Sequence, residues 1–393
     1  MVMENDYVIR VVESPAEIDA EAWDRLVDLD PDPSPFVRHA YLLALHESGA
    51  ATAQTGWMPR FVTLWDGDRL VAACPHYLKS HSYGEYVFDW AWAQAHEQHG
   101  LPYYPKGLVA VPFTPVPGAR LLTESDQARL ALLDALEQLA RSWQLSSLHI
   151  LFAREDDVCA TGRRGWLTRE TVQFHWTQAL PGGPKDIRFR DFDHFLSGLQ
   201  QDKRKKIRQE RRKVAEAGVR FRWAMGADIQ TQDWAFFWSC YERTYHEHGN
   251  PPYLTPDFFD RMARTMPDHW LMFVAEKDGR PIASSLIGLD PMRRIAYGRY
   301  WGAIERVDCL HFEACYYQPL QWCIDHGYRR FEGGAQGEHK MARALLPVRA
   351  RSAHWLAHPA FADAVDRFLE RERHGVANYL DHLAQRDPRR KSD

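Results

Sequence analysis

The hydropathy pattern of the second half of the chain predicts a defined series of elements. Alternating or continuous apolar runs indicate strands at 219–224, 270–276, 281–289, 294–301, 328–332 and 349–356. Helical spacing of apolar residues indicates helices at 231–247, 256–265 and 310–326, a short helix after 338 and a C-terminal helix. Thr255-Pro256-Asp257 supports the start of one helix, and Gly327 supports the end of another.

The first half gives a similar series. We predict a strand at the N-terminus, helices near 20 and 36, a hairpin at 60–79, a helix at 125–143 and strands at 147–152 and 167–176. Asp66-Gly67 and Asp278-Gly279 provide matching turn signals in the two halves. The order therefore predicts two copies of a β-α-α-β-β-β-α-β-α-β unit. We expect domains at 1–180 and 192–393, joined by a Gly- and Pro-rich linker at 181–191.

Composition limits the classes of protein that fit. The 393 residues are 45% hydrophobic, which is enough for two domains with their own cores. A formal net charge of -4 excludes polyanion binding by bulk charge, so any basic surface must be local. The apolar runs are too short for a spanning helix, and the N-terminus lacks signal-peptide features. Six cysteines without a C-x-x-C pair predict reduced thiols, and we expect a cytoplasmic protein.

A basic helix is predicted at 193–217, at the start of the second domain. A narrow apolar stripe includes Ile207 and Val214, and Glu210 is the acid among the cations. This accumulation of like charge indicates a phosphate-rich partner such as tRNA, a nucleotide-linked sugar or anionic lipid. Pairing with acids elsewhere in the chain is the alternative. The predicted polyanion-binding residues are Lys203, Arg204, Lys205, Lys206, Arg208, Arg211, Arg212 and Lys213.

Several motifs carry a family resemblance. They are HSYGEYVFDWAWA, YYPKG, VPFTPVPGARLL, YGRYWG, LHFEACYYQ and GAQGEHK. Together they resemble the FemAB-like family of bacterial N-acyltransferases over nearly the whole chain. The resemblance implies an α/β (α+β) fold with two tandem GNAT-like domains, each a mixed, mainly antiparallel sheet flanked by helices. It also implies transfer of an acyl or aminoacyl group from acyl-CoA or aminoacyl-tRNA to an amine on a small molecule or a cell-wall precursor, without a tightly bound cofactor.

The expected coenzyme A loop is degenerate. A GNAT enzyme that uses CoA is expected to carry [RQ]-x-x-G-x-[GA], and the sequence Arg299-Tyr300-Trp301-Gly302 fits until Ile304 replaces the last small residue. Glu305 and Asp308 then add negative charge where a pyrophosphate would bind. The pattern favours an aminoacyl-tRNA donor and leaves acyl-CoA open. A degenerate pair that binds nucleic acid or a cell-wall precursor without turnover is the alternative.

The segment FEGGAQGEHK provides the leading catalytic candidate. In FemABX-type enzymes a lysine in a similar context lies beside the donor ester, which implies that Lys340 stabilises the tetrahedral intermediate. A lysine that meets Glu338 or solvent is the alternative. His339 or Glu338 is expected to accept the proton of the attacking amine. The other candidates are His311 and Glu313 for catalysis and, for substrate binding, Arg299, Tyr300, Trp301, Gly302, Gln336 and Tyr316.

No metal site is predicted, because His311, Cys315, Cys323 and His326 lie along one long helix and cannot converge on one ion. The first half has a separate polar and aromatic group. Its carboxylates and aromatic rings suit an amine-bearing acceptor, whereas a packed face with internally paired charges is equally consistent. The predicted acceptor residues are Lys79, His81, Glu85, Asp89, Tyr104 and Lys106.

Overall fold

Helices and strands cover most of the chain in the computed structural model, which describes residues 7–178, 188–335 and 337–389. The strands of the first half are β1 (Val8–Val12), β2 (Trp57–Pro59), β3 (Phe61–Asp66), β4 (Arg69–Cys74), β5 (His76–Lys79), β6 (Lys106–Val109), β7 (Leu122–Thr123), β8 (Ser147–Ala153) and β9 (Leu167–Thr177). The helices are α1 (Ala20–Asp28), α2 (His39–Glu47), α3 (Trp90–Gln98), α4 (Asp126–Ser142) and α5 (Glu155–Gly162).

The second half continues with helices α6 (Phe192–Ser197), α7 (Gln201–Glu216), α8 (Thr231–Glu247), α9 (Pro256–Thr265), α10 (Leu310–Phe312), α11 (Gln318–Asp325) and α12 (Pro359–Gln385). A π-helical turn, Glu313–Tyr317, joins α10 to α11. The strands are β10 (Val219–Met225), β11 (Trp270–Lys277), β12 (Arg280–Asp290), β13 (Ile295–Ala303), β14 (Arg330–Ala335) and β15 (Leu346–Leu356). Short 3₁₀ helices lie at Pro15–Glu17, Pro35–Val37, Ala53–Thr55, Gly226–Asp228, Pro267–His269 and Glu338–Arg343.

Two of the expected elements differ from the prediction. The basic helix expected at 193–217 is two helices, α6 and α7, separated at Gly198–Gln200 because the chain turns there. The hairpin expected at 60–79 consists of β3 and β4, whereas β5 leaves it to pair with β2 and β6. The remaining predicted strands and helices are present within a few residues of their expected bounds.

The chain divides into two compact units that are not continuous in sequence. Unit 1 contains Met1–Thr171, Tyr253–Phe258 and Arg349–Asn378, and unit 2 contains Val172–Pro252, Phe259–Val348 and Tyr379–Asp393. This division differs from the predicted domains at 1–180 and 192–393. The return of the chain to unit 1 has a clear cause, since β15 pairs with β8 through Arg351–Leu356. The expected linker at 181–191 lies mostly outside the described residues.

Unit 1 contains two sets of strands. One is a four-stranded antiparallel sheet in the order β1-β3-β4-β7. The other runs β2-β5-β6-β8-β15, in which the β6-β8 pair is parallel and the other pairs are antiparallel. Apolar residues of α4, including Leu132 and Leu136, pack with Val62, Val71 and Ile150 from these strands. Both sets of strands therefore share one core with α4.

Unit 2 contains strands in the order β10-β11-β12-β13-β14-β9. The β13-β14 pair is parallel, and the other pairs are antiparallel. The main core of this unit combines α6, α7 and α11 with the sheet and includes Phe195, Ile207, Leu320 and Phe331. The predicted fold class is confirmed, since each unit has a mixed, mainly antiparallel sheet flanked by helices.

Candidate functional site

A notch opens in the sheet of unit 2 between its two parallel strands. Pairing between β13 and β14 extends from Ile295–Arg330 to Tyr297–Glu332. Both strands continue beyond these pairs, to Ala303 and Ala335, with no further pairing to each other among the described residues. The sheet therefore opens where the two strands diverge, which makes this place a candidate ligand site. The 3₁₀ helix Glu338–Arg343 follows directly after β14.

Lys340 lies in this 3₁₀ helix and is buried. Its Nζ donates hydrogen bonds to the carbonyl oxygens of Gly333 at 2.6 Å and Gly334 at 3.3 Å. Burial lowers the pKa of Lys340 to about 8. Gly333 is needed for this packing, because a Cβ there would lie 2.3 Å from Leu345 and 2.9 Å from the Phe174 carbonyl oxygen. The glycines thus allow close packing of the backbone around Lys340.

Histidine and tyrosine side chains gather beside Lys340. The Tyr316 hydroxyl and His339 Nε2 lie 3.2 Å apart, and the rings of His311 and His339 have centroids 6.3 Å apart. Burial lowers the pKa of His311 to about 4, and burial followed by the charges of Arg343 and Lys340 lowers the pKa of His339. Glu338 is exposed and pairs with Arg386 at 2.9 Å. His311, Tyr316 and His339 are therefore brought together, whereas Glu338 points to a different partner.

A buried ion pair supports the same segment. Arg343 donates from Nη2 to Glu210 Oε2 at 2.8 Å and from Nη1 to the His339 carbonyl oxygen at 2.6 Å. Its guanidinium group lies 3.6 Å from the ring centroid of Phe312. The Tyr317 hydroxyl also donates to Glu210. Glu210 is the acid of the basic helix, so α7 is connected to the backbone of His339, next to Lys340.

Glu313 begins the π-helical turn and is buried. Its Oε1 accepts hydrogen bonds from Arg211 Nε at 3.1 Å and from Gln318 Nε2 at 2.7 Å. Arg211 also donates to Gln321 at 3.0 Å and lies over the ring of Phe192. Arg211, predicted to bind a polyanion, is thus already engaged inside unit 2. π-helical turns are frequent at functional sites.

The residues of the degenerate loop lie in strand β13. Tyr300 packs against Tyr241 of α8 with ring centroids 5.3 Å apart, and the Trp301 ring lies 5.3 Å from that of His311. A Cβ at Gly302 would lie 2.1 Å from the Cys240 carbonyl oxygen, so this glycine allows α8 to approach the sheet. Arg299 donates to the Tyr300 hydroxyl at 2.9 Å. The position of Gly302 in a packed strand differs from the phosphate-binding loop that its sequence pattern suggested.

The carboxylates after β13 are ion-paired. Glu305 accepts from Lys277 Nζ at 2.5 Å, and Asp308 accepts from Lys213 Nζ at 2.7 Å. Because each acid has a lysine partner, the repulsion expected toward a pyrophosphate is partly offset. The sequence argument against an acyl-CoA donor is weaker for this reason.

The cations of α7 fall into two groups. Arg208 pairs with Asp193 at 3.1 Å, Lys203 with Asp202 at 2.8 Å, and Arg211 and Lys213 pair as described above. Among the described residues, no ion pair or hydrogen bond of the side chain is found for the other four. These are Arg204, Lys205, Lys206 and Arg212, of which Arg204 is partly buried and the rest are exposed. Four of the eight cations are therefore paired with acids of this chain, and the other four carry charge without such a partner among the described residues.

In unit 1, Lys106 lies at the centre of a buried polar network. Its Nζ donates to Glu85 and to Ser82 Oγ at 2.8 Å each, and it also donates to Asp89. Burial raises the pKa of Glu85 to about 7, which opposes the effect of Lys106. Burial would raise the pKa of Asp89 as well, but the charge of Lys106 holds it below the ordinary value. These charges are paired internally, and a role in binding an acceptor stays a prediction.

The other predicted acceptor residues surround this network. Lys79 is buried, donates to the Tyr83 carbonyl oxygen at 3.3 Å and lies 3.8 Å from the centroid of the Trp57 ring. Burial lowers its pKa to about 7. The Tyr104 hydroxyl is 2.8 Å from Ser82 Oγ, and His81 Nε2 is 3.1 Å from the Thr55 carbonyl oxygen. His81 is partly buried, and burial lowers its pKa.

Gln336, predicted to bind substrate, lies outside the described residues. Within residues 7–178, 188–335 and 337–389, no group of three or more histidine, cysteine, aspartate or glutamate side chains is arranged to hold a metal ion. In the same residues, none of the helices combines the length and apolar character required to span a membrane.

The family model for FemAB-like proteins, described as peptidoglycan biosynthesis/recognition, matches residues 14–391. The chain belongs to the FemAB-like family. The family resemblance predicted from the sequence is therefore confirmed. Among curated proteins, no sequence matches the chain significantly.

Two solved structures, FemX and L-PGS, share the fold of this chain. FemX aligns with a TM-score of 0.55 at 10% identity, over 89% of this chain and 98% of that chain. L-PGS from Bacillus licheniformis aligns with a TM-score of 0.55 at 11% identity, over 92% of this chain and 99% of that chain. At such low identity these likenesses show the fold alone, and they agree with the expected tandem GNAT-like architecture.

The residues that sequence reasoning missed are Glu210 and Arg343. A signal for Glu210 was available, because Ile207, Glu210 and Val214 follow the spacing of one helix face. An acid on the apolar stripe of a basic helix indicates a buried cation as its partner. Arg343 carried no comparable signal, since its burial depends on the aromatic residues that pack around it.

Proposed function

We propose that this FemAB-like protein transfers an acyl or aminoacyl group from an activated donor to an amine. In the proposed reaction the neutral amine attacks the carbonyl carbon of the donor and forms a tetrahedral intermediate with a negatively charged oxygen. Collapse of the intermediate forms the amide bond and releases the tRNA hydroxyl or the CoA thiol, with the amine proton passing to a base and then to the leaving group. The reaction requires no metal or redox step.

The observation that carries this proposal is the setting of Lys340. Lys340 is buried at the notch between β13 and β14, and the carbonyl oxygens of Gly333 and Gly334 fix the position of its ammonium group through hydrogen bonds. A fixed positive group in a site with little water stabilises a developing oxyanion strongly. The family match, described as peptidoglycan biosynthesis/recognition, supports an amine on a cell-wall precursor as the acceptor. We accordingly place the protein in the cytoplasm, where activated donors are made.

We assign the proton acceptor to His339. The pKa of its ring is lowered by burial, so the ring is neutral near pH 7 and able to accept a proton. Tyr316 lies within hydrogen-bonding distance of Nε2 and can orient the ring. Glu338 is the weaker candidate because its carboxylate is paired with Arg386. His311 packs beside these groups, and Glu313 is held by Arg211 and Gln318.

Two donors remain in competition. The exposed cations Lys205, Lys206 and Arg212 favour aminoacyl-tRNA, since unpaired basic side chains are the usual contacts for a phosphate backbone. The paired acids Glu305 and Asp308 leave acyl-CoA as the second candidate.

The test measures binding and transfer with the purified full-length chain. Thermal melting is followed with acetyl-CoA, uncharged tRNA and charged tRNA at low and high salt. Ligand at 100 times its dissociation constant adds about 2.7 kcal/mol of stability. Transfer of radiolabelled aminoacyl or acetyl groups to a lysine-containing muropeptide nucleotide is then measured for wild type, Lys340→Ala and Lys340→Arg.

Transfer from one donor that is lost in Lys340→Ala and partly kept in Lys340→Arg supports the proposal. Equal transfer by wild type and Lys340→Ala contradicts the role of Lys340. Tight binding of the muropeptide nucleotide or tRNA without transfer from either donor favours the alternative of a non-catalytic binding protein.

A further inference from the structure

Helix α7 presents two different surfaces. Its buried side contributes Glu210, which binds Arg343, and Arg211, which binds Glu313. Its outer side contributes the exposed and unpaired cations Lys205, Lys206 and Arg212. Arg211 is thus partly buried and bound to Glu313, whereas its neighbour Arg212 is exposed and unpaired among the described residues.

Glu210 is well placed to fix the segment that carries Lys340. It is buried and accepts hydrogen bonds from Arg343 and from the Tyr317 hydroxyl. Arg343 is 2% exposed and holds the carbonyl oxygen of His339. A buried ion pair tolerates little displacement, because removal of one partner leaves the other charge without compensation. The position of His339 and Lys340 is therefore linked to that of α7.

Arg211 makes a similar link to the start of the π-helical turn. It contacts Glu313 through Nε and Nη2, both at 3.1 Å, and its third contact is Gln321. A phosphate group would have to compete with a buried carboxylate for this guanidinium. The outer cations have no such competitor among the described residues.

We propose that Glu210 is a positioning residue for His339 and Lys340, and that the nucleic-acid surface of α7 consists of its outer cations and excludes Arg211. This inference rests on the proposed function but can be decided without a known acceptor. One helix then serves both tRNA binding and the geometry of the transfer site.

The first experiment measures acetylation of Lys340 by trace acetic anhydride as a function of pH, with mass spectrometry of the Lys340 peptide. The profile of the wild type is expected to have its midpoint at a pH of about 8. In Glu210→Gln, Arg343 loses its anionic partner, the segment shifts, and Lys340 becomes more exposed. The midpoint is expected to rise by about one pH unit or more, whereas Glu216→Gln, which changes an exposed acid of the same helix, keeps the wild-type profile.

A Glu210→Gln/Arg343→Gln double variant covers the case in which Glu210→Gln does not fold, because it leaves no unpaired charge. A folded double variant is expected to show the same raised midpoint. A wild-type profile in either folded variant overturns the positioning role of Glu210. Glu210→Asp, which keeps the carboxylate, is expected to restore the profile in part.

The second experiment measures binding of bulk tRNA at increasing salt. Arg212→Ala is expected to reduce the slope of log affinity against log salt by about one, and Arg211→Ala is expected to leave it unchanged. An equal reduction in both variants overturns the exclusion of Arg211. A wild type that binds anionic vesicles and not tRNA overturns the nucleic-acid surface.

The two proposals fail separately. Absence of transfer with both donors would contradict the proposed function, while the Lys340 profiles would still decide whether Glu210 fixes this segment.

Discussion

At the scale of single residues, the candidate site depends on side chains whose ionisation is set by burial. Lys340 has a pKa of about 8 because burial disfavours its ammonium form. His311 has a pKa of about 4 for the same reason, so it is neutral under physiological conditions. Lys340 therefore carries the positive charge of this site, whereas His311 packs beside the proposed proton acceptor, His339, as a neutral ring.

The first prediction concerns the pH dependence of transfer. The ammonium form of Lys340 is the form that stabilises an oxyanion, so activity should fall as pH rises through about 8. In Lys340→Arg the fall should move to higher pH, because a guanidinium stays protonated. Lys340→Ala should lose on the order of 10²-fold in kcat. The measurement is kcat/KM against pH with the donor that supports transfer. Because the acceptor amine also loses its proton as pH rises, the wild type is compared with Lys340→Arg, and identical pH profiles for the two would contradict this role of Lys340.

The second prediction tests the packing role of Gly302. Gly302→Ala places a Cβ 2.1 Å from the Cys240 carbonyl oxygen and should lower the free energy of unfolding by about 1–3 kcal/mol. Gly375→Ala is the matched control, because Gly375 lies in α12 with no atom within 4 Å of the added Cβ. The control should be neutral or stabilise the protein by up to about 1 kcal/mol. Urea denaturation of both variants decides the question, and equal stability would contradict a tight contact at Gly302.

The sequence predicted Lys340, His339 and His311 as catalytic candidates, and the rings of His311 and His339 lie close together beside Lys340. It could not show that Gly302 lies against α8, since that contact joins residues far apart in sequence. The ion pair between Glu210 and Arg343 joins residues 133 positions apart and was missed for the same reason.

At the scale of elements, charge is distributed between buried networks and exposed faces. The strands β10 to β13 and helices α8 and α9 were predicted because their apolar periodicity is strong. Helix α3, with the sequence WAWAQAHEQ, was not predicted, because aromatic and polar residues alternate in it without a clear apolar stripe. The same segment borders the buried network around Lys106, where polar residues take positions usually filled by apolar ones.

The third prediction tests that network. Lys106→Met should leave Glu85 and Asp89 buried without their cation and lower the free energy of unfolding by about 3–5 kcal/mol. Arg208→Met removes an ion pair whose side chains are 62% and 82% exposed, and should change stability by about 0–1 kcal/mol. The comparison uses thermal or urea unfolding at pH 7. If Lys106→Met lowers the free energy of unfolding as little as Arg208→Met does, the Lys106 network contributes little to stability.

At the scale of the whole molecule, neither unit is a continuous segment. Unit 1 requires β15 and the first part of α12, and unit 2 requires the residues after Asn378. Trp92 and Tyr103 pack against Leu356, Val365 and Leu369, so the core of unit 1 depends on residues from near the end of the chain. Hydropathy predicted the elements of both halves but not this exchange, because strand pairing over long distances leaves no local signal.

The fourth prediction follows from that connectivity. A fragment of residues 1–178 lacks β15 and should fail to fold, because β8 loses a paired neighbour and Trp92 loses its apolar contacts. Attachment of residues 349–378 through a flexible linker should restore cooperative unfolding. Circular dichroism and thermal melting of the two fragments provide the measurement. Cooperative melting of the fragment 1–178 alone would contradict the division of the chain described above.

The late segment of unit 1 has a consequence for the synthesis of this protein. Residues leave the ribosome in order, so β15 and α12 emerge only after more than 340 residues have been translated. Until then the nascent chain exposes β8 and the apolar surface around Trp92. A translation pause before residue 349 would leave both units incomplete, and the exposed strand would be prone to pair with other chains. Production in cells should therefore be sensitive to chaperone supply and to the rate of elongation in this region.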